Sequence, residues 1–238
     1  MFAGAIRKCE RVTSTGLACD GTLRYRTLAK KAPDRTMSTI EPIRCPWAGI
    51  SDAEYIRYHD EEWGVPLTDD VRMFEKLVLE GFQSGLSWLT ILRKRDNFRA
   101  AFHGFDAAKI ARYGDQDKAR LMADAGIVRN RLKVEATIDN ARAYLALAET
   151  TSLAKFLWDF VDGRPIIHQR ASMKEVPPQT DLSKRISKAL KAEGFRFVGP
   201  TTVYAFMQSS GMVNDHMATC HRHAPCAAQQ KKFKTPAV

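Results

Sequence analysis

Cysteine is scarce in this chain and odd in number: Cys9, Cys19, Cys45, Cys220 and Cys226 among 238 residues. That count excludes the disulfide framework of a small secreted module and points to a reducing cytoplasm. No apolar run approaches the roughly 18 residues that a membrane-spanning helix needs, and the N-terminus shows no long apolar signal segment. Strand-like alternation is nearly absent and no segment repeats at a solenoid period, which argues against sandwiches, barrels and repeat arrays. Acidic residues are in deficit, 27 against 37 Lys and Arg, for a net charge of +10. An excess of that sign suits a polyanionic partner, but it is unevenly spread. Residues 1–36 carry eight Lys/Arg against three Asp/Glu, so a net +5 lies there and the remaining +5 is spread over residues 37–238. The body is therefore mildly basic, as suits a protein that meets nucleic acid through one face.

Met37 opens a segment, MSTIEPIRCPW, unlike the basic, aperiodic residues before it. We expect translation to start at Met37, with residues 1–36 an extension that is disordered or not translated. Residues 37–226 read as one domain, and residues 227–238, which lack periodicity, as a disordered tail. At 45% apolar the chain can bury one sizeable core.

What is present is helical. Ser51 followed by Glu54 reads as a capping box for a helix over 52–62. Thr68 or Asp69 caps an apolar helix over 71–82, and Ser87 caps another that carries Trp88, Leu89, Ile91 and Leu92. Short helical patterns follow Asn97, Asp106 and Asp115. A turn at Ala125-Gly126-Ile127 precedes a long helix over 129–148, another helix starts at Ser152, and two more cover 181–193 and 201–210. The stretch 162–180, with Pro165, Pro177 and Pro178, is the longest irregular loop. About nine short helices joined by capped turns make an all-α fold with a cleft.

Four groups of residues carry chemistry. Within Cys45–Trp63, the residues Tyr55, Tyr58, His59 and Glu62 fall on one helix face. Two phenols, an imidazole and a carboxylate together resemble the wall of a site, although an interfacial helix with its polar groups hydrogen-bonded has the same pattern. His216 and Cys220 sit one turn apart. With Cys45 and His59 they complete a Cys2His2 set for a tetrahedral metal, and His221, His223 and Cys226 compete for the last places. Glu80 stands among Leu77, Val78, Leu79 and Phe82, where a carboxylate either turns to solvent or needs a partner. Gly81 and Gly85 beside it would let a flat ligand approach, with Trp88 placed to stack on it. The hairpin across 115–140 turns at Gly126 into a helix opened by Arg129 and Arg131, offering backbone N–H groups and cations to phosphate. An ordinary αα-hairpin closed by glycine gives much the same pattern.

Four long blocks, RCPWAGISDAEYIRYHDEEWGVP, LEGFQSGLSWLTIL, DAGIVRNRLKVEATIDNARAY and GFRFVGPTTVYAFMQSSGMVNDHMATC, resemble the 3-methyladenine DNA glycosylase I family over about Arg44 to Cys220. The resemblance implies a compact all-α helix-hairpin-helix glycosylase fold. It also implies a structural Zn2+ that staples the N- and C-terminal segments through Cys45, His59, His216 and Cys220. It places Glu80, Tyr58 and Trp88 at the pocket for the alkylated base, with Tyr55, Trp47 and Trp63 lining or supporting it. Gly126, Arg129 and Arg131 of the hairpin are the residues we expect at the DNA backbone. Phe82 departs from the family pattern, standing where a glutamine-like residue is expected; Gln83 keeps the next place. The implied activity is monofunctional hydrolysis of the N-glycosidic bond of 3-methyladenine in double-stranded alkylated DNA, by a cytoplasmic monomer. No lysine is placed for a Schiff base. Asp139 follows the hairpin, but no motif marks it as a general base and none is assigned. The competing expectations are a zinc-stapled DNA-binding module without catalysis, and a glycosylase of broader alkyl-base scope.

Overall fold

Residues 41–49 and 51–234 are described by a computed structural model of the protein. The expected extension over 1–36 and a start at Met37 lie outside the described residues. The chain runs through α1 (Ala53–Glu61), α2 (Asp70–Gln83), α3 (Trp88–Leu92), α4 (Arg95–Ala101), α5 (Ala107–Ile110) and α6 (Asp115–Ala123). It continues through α7 (Arg131–Ala148), α8 (Leu153–Trp158), α9 (Asp181–Ala192), α10 (Pro200–Ser209) and α11 (His223–Lys232). Most of the described helices begin where a short polar side chain takes an orphan N–H. Asp69, Ser87, Asn130, Ser152 and Thr180 accept from the backbone three residues on, each cap worth about 1 kcal/mol. The cap of α1 is Asp52, whose carboxylate accepts from Tyr55 N, and not the expected Ser51.

Helix α2 is the axis of the molecule. Its residues from Leu77 to Phe82 are all buried, and it packs on α3, α7, α8 and α10. Phe82 points into an aromatic stack with Phe98, at 4.7 Å between ring centroids, and Phe102, at 6.1 Å. Gly81 has a structural role as well: a Cβ there would stand 3.3 Å from Phe197 Cβ, so the close neighbour is α2's own packing partner and not a ligand. Trp158 fills the other side, fully buried, with its Nε1 donating to Leu67 O.

Two departures from the sequence reading shape the site. The long loop contains a two-residue strand, β1 (Ile166–Ile167), paired in parallel with β2 (Val213–Asn214). Ile166 N donates to Met212 O and His168 N to Asn214 O, which satisfies loop backbone that packing would otherwise leave dry. The region from Ala227 is helical as far as Lys232, where a disordered tail was expected. Gln230 is buried in α11 and donates to Gly64 O at 3.0 Å and Gly211 O at 3.2 Å, fastening the helix down. A single anchoring glutamine in a polar segment leaves no periodic signal.

Candidate active site

Helix α1 divides its polar face between two sites. Tyr55 and Tyr58 face a cavity, His59 faces a buried cluster of thiols and imidazoles, and Glu62 pairs with Arg95 at 2.6 and 2.9 Å. The cavity holds about 220 Å³ and opens to solvent, with Trp47, Tyr55, Tyr58, Trp63, Glu80, Gln83 and Trp88 in its wall. Met173, Val176, Ala205, Gln208 and Asp215 complete the lining, and sequence reasoning named none of them for it. The rings touch in series: Trp88 to Tyr58 at 5.3 Å, Tyr58 to Trp47 at 6.4 Å, Trp47 to Tyr55 at 5.3 Å and Trp47 to Trp63 at 4.9 Å. Trp88 Nε1 is buried and has no hydrogen-bond partner among the described residues. Phe82 lies outside this lining and Gln83 inside it, so the departure at Phe82 alters the core and leaves the polarity of the cavity intact.

Glu80 is one of two carboxylates in this wall, 4% exposed, and does not turn to solvent. Ser209 on α10 donates to its Oε1 at 2.9 Å. Burial pushes its carboxyl up to about 7, against the pull of Lys76 and of the Ser209 hydroxyl. Lys76, one turn earlier on α2, has its ammonium 5.4 Å from the Tyr58 ring centroid. The i, i+4 relation to Glu80 is a signal for Lys76 that the sequence itself carries. A second carboxylate, Asp215, is fully occupied: His168 Nδ1 lies 2.6 Å away, Gln208 Nε2 2.8 Å, Tyr204 Oη 2.5 Å and Arg170 Nε 3.3 Å. Burial alone would raise it, but hydrogen bonds from His168, Tyr204 and Gln208 outweigh that and hold it at about 2. Asp215 thereby ties the loop after β1, which supplies Met173 and Val176 to the wall, to α10.

The second site is a buried Cys2His2 cluster whose four ligand atoms all lie within 4.8 Å of one another. Cys45 Sγ is 3.5 Å from His216 Nδ1, and Cys220 Sγ is 3.5 Å from His59 Nε2 and 3.6 Å from His216 Nδ1. Those are the roughly 3.5 Å edges of an N2S2 tetrahedron with metal–sulfur and metal–nitrogen bonds of about 2.3 and 2.0 Å. The outer nitrogens are held as metal-ligating histidines hold them. His59 Nδ1 contacts Asp60 Oδ1 at 2.7 Å, itself bonded by Arg44, and His216 Nε2 contacts Trp63 O at 3.0 Å. A hydrogen bond from Cys45, then those of the two imidazoles, draws the Cys220 thiol far down, while sharing that proton and burial push Cys45 up. Two thiols sharing one proton beside two imidazoles is a donor set that a dication fits. The competitors stand aside: His221 contacts Ile43 O, His223 contacts His168 O, and Cys226 takes Arg222 as its neighbour. The cluster joins residue 45 to residue 220 and abuts the cavity, since Trp63 touches His216 at 4.6 Å and Trp47 touches His59 at 5.2 Å.

The hairpin forms between α6 and α7, with one correction. Gly126 was expected to offer its N–H to phosphate, but that N–H donates to Asp124 Oδ1 at 2.7 Å, and its carbonyl accepts from Lys94 and Asn97. A Cβ at Gly126 would sit 2.9 Å from that same Asp124 oxygen, so the glycine shapes the turn. Arg129 and Arg131 are exposed beyond it. Asp139 accepts from Arg142 at 3.4 Å and Arg196 at 2.6 Å and lines a separate surface depression, away from the aromatic cavity.

A family model for methyladenine glycosylases matches residues 47–223, most of the chain. The chain belongs to the methyladenine glycosylase family. DNA-3-methyladenine glycosylase 1 of Escherichia coli strain K12 is 49% identical over 178 residues, covering 74% of this chain and 95% of that protein. DNA-3-methyladenine glycosylase of Haemophilus influenzae is 48% identical, covering 77% of this chain and 97% of that one. Among solved structures, a crystal structure of 3-methyladenine DNA glycosylase I has a TM-score of 0.75 at 50% identity, over 76% of this chain and all of that one. The glycosylase I of Staphylococcus aureus has a TM-score of 0.73 at 38% identity, over 76% of this chain and 96% of that one. In this methyladenine glycosylase no helix among the described residues is long and apolar enough to cross a membrane.

Proposed function

We propose that this methyladenine glycosylase hydrolyses the N-glycosidic bond of 3-methyladenine in alkylated double-stranded DNA. The observation that carries this reading is Glu80, a buried carboxylate inside a box of tryptophan and tyrosine rings. A flat, cationic, hydrogen-bond-donating ligand satisfies both parts of that wall. 3-Methyladenine in DNA is such a ligand, and normal adenine, being neutral, is not. Glu80 accepts from the amine edge of the flipped base, and Trp88 and Tyr58 supply π faces to its charge.

The chemistry asks little more of the protein. Water adds to the anomeric carbon, the electron pair of the glycosidic bond passes to the departing base, and the base leaves neutral. The proton of the water is lost to solvent, and an abasic sugar remains. Asp139 is engaged at the surface by two arginines, consistent with a mechanism that uses no strong general base there. Arg129 and Arg131 hold the DNA backbone. To Leu86, 42% exposed on the turn between Gln83 and Trp88, we assign the filling of the gap that a flipped base leaves.

The metal we assign is Zn2+, held by Cys45, His59, His216 and Cys220 in a closed four-ligand structural site that fixes α1 against the C-terminal segment. The protein is proposed to act as a cytoplasmic monomer. Chromatography of the bases freed from methylated duplex DNA tests the reading: free 3-methyladenine is expected, with strands left intact at the abasic sites. DNA bound without any base released, at enzyme in excess, would instead make the protein a binding module.

A further inference from the structure

Lys133 is a buried lysine, 8% exposed, that the aromatic cavity and the metal cluster do not use. Its ammonium donates to Phe82 O at 2.8 Å and to Ser84 O at 2.6 Å. Both acceptors belong to the C-terminal end of α2, where helix carbonyls lack intrahelical partners and the dipole is negative. Lys133 itself stands in the first turn of α7, where a cation opposes its own helix dipole. Burial also pulls its pKa down. A group placed unfavourably for its own helix, and dry, is retained for what it does at the other one.

The two ends it joins are the two working ends of the molecule. On one side, Lys133 follows Arg129, Arg131 and the capping residue Asn130, which accepts from Lys133 N at 3.2 Å. On the other, Gln83 lies between its two acceptors, and the turn Ser84–Ser87 leads to Leu86 and Trp88. That turn is tight, with Leu86 N bonded to Gln83 O at 2.6 Å and Gly85 in a left-handed conformation at φ 81°. The turn holds to the hairpin through Lys133's two carbonyl contacts.

We propose that Lys133 is a positioning residue that couples DNA-backbone engagement at the hairpin to the Gln83–Trp88 turn, so that the turn is set for base extrusion when the hairpin is docked. The inference rests on the glycosylase reading above. It separates Lys133 from residues that touch the base, because the pocket wall is built without it.

The test compares Lys133→Met and Lys133→Arg with the parent protein, after thermal melting and metal content have shown each to be folded. Single-turnover excision by Lys133→Met at saturating enzyme is expected to slow by on the order of tenfold or more, as for other small misplacements remote from the chemistry. Affinity for free 3-methyladenine and for undamaged duplex is expected to stay within about twofold, and Lys133→Arg to recover part of the rate. Arg131→Ala and Leu86→Ala should combine non-additively in the parent and additively in the Lys133→Met background. Excision at the parental rate, or loss of free-base affinity in step with excision, would overturn the coupling, as would a cycle unchanged by Lys133→Met. Absence of base release by the parent protein would count against the glycosylase reading and would show before any variant is made.

Discussion

Ser209 Oγ stands 2.9 Å from Glu80 Oε1, joining α10 to α2 across 129 residues of sequence. Among the described residues this hydroxyl is the one hydrogen bond to that carboxylate, and burial outweighs it, leaving Glu80 near 7 against an ordinary 4.5. An ionised Glu80 is what a cationic base requires. The excision kcat/KM is therefore expected to rise with pH through about 7 with a single ionisation, and Glu80→Gln should flatten that limb. At pH 8 the same change should reduce excision roughly ten- to hundredfold, the worth of one hydrogen bond to a charged group. A pH profile identical in the two proteins would remove Glu80 from base recognition.

The same residue makes a stability prediction of opposite sense. A folded value above the unfolded one means the native state holds the proton more tightly. The stability so contributed is complete below about 4.5 and is lost as pH rises through about 7. Glu80→Gln escapes that loss, so its melting temperature relative to the parent should increase between pH 5 and pH 8. A constant difference over that range would contradict the buried placement.

Much of this was legible in the sequence, and the boundary has physical causes. Caps at Asp69, Ser87 and Ser152 are local, and each appears where the sequence places it. The face of Tyr55, Tyr58 and His59 is legible because helical period alone sets it. Its division between a cavity and a metal cluster is not, because the partners, Trp88 and Cys220, arrive from elsewhere in the chain. Glu80 could be flagged as a charge among apolar neighbours, but its direction depends on Ser209. Asp215 and the four groups bonded to it come from three separate segments, and only the fold assembles them. Gly126 shows the converse error: a glycine in a hairpin suggests a free N–H, and here the neighbouring Asp124 takes it.

Loss of one ligand should loosen the whole staple. Cys220→Ser is expected to lower zinc content and melting temperature together, since the binding energy of a structural metal is folding energy. Undiminished zinc in that variant would show that the thiol is not a ligand.

Asp60 offers a milder test of the same site, because it touches the metal-facing histidine and not the metal. Its carboxylate holds His59 Nδ1 at 2.7 Å and Arg44 Nη2 at 2.8 Å. Asp60→Asn should weaken zinc retention against a chelator by roughly ten- to hundredfold while leaving the metal stoichiometry whole. Chelator resistance equal to the parent would mean that the carboxylate serves only its ion pair.

Arg129 and Arg131, exposed past the hairpin turn, are assigned to phosphate. Changing both to Ala should weaken binding to any duplex alike and lower the slope of log K against log salt by about 2. A slope equal to the parent's would move the backbone contact to another face.

The central claim is that the charge of Glu80, inside the aromatic box, selects a cationic purine. It is tested most directly by the affinities of the pocket for two small ligands of nearly equal shape, followed through tryptophan fluorescence at pH 8. One is an adenine alkylated at both N3 and N9, which carries a fixed positive charge; the other is neutral 9-methyladenine. The account predicts that the cation binds tighter by about tenfold or more, some 1.4 kcal/mol, and that Glu80→Gln erases most of that preference. Equal affinities for the two ligands in the parent protein would contradict it.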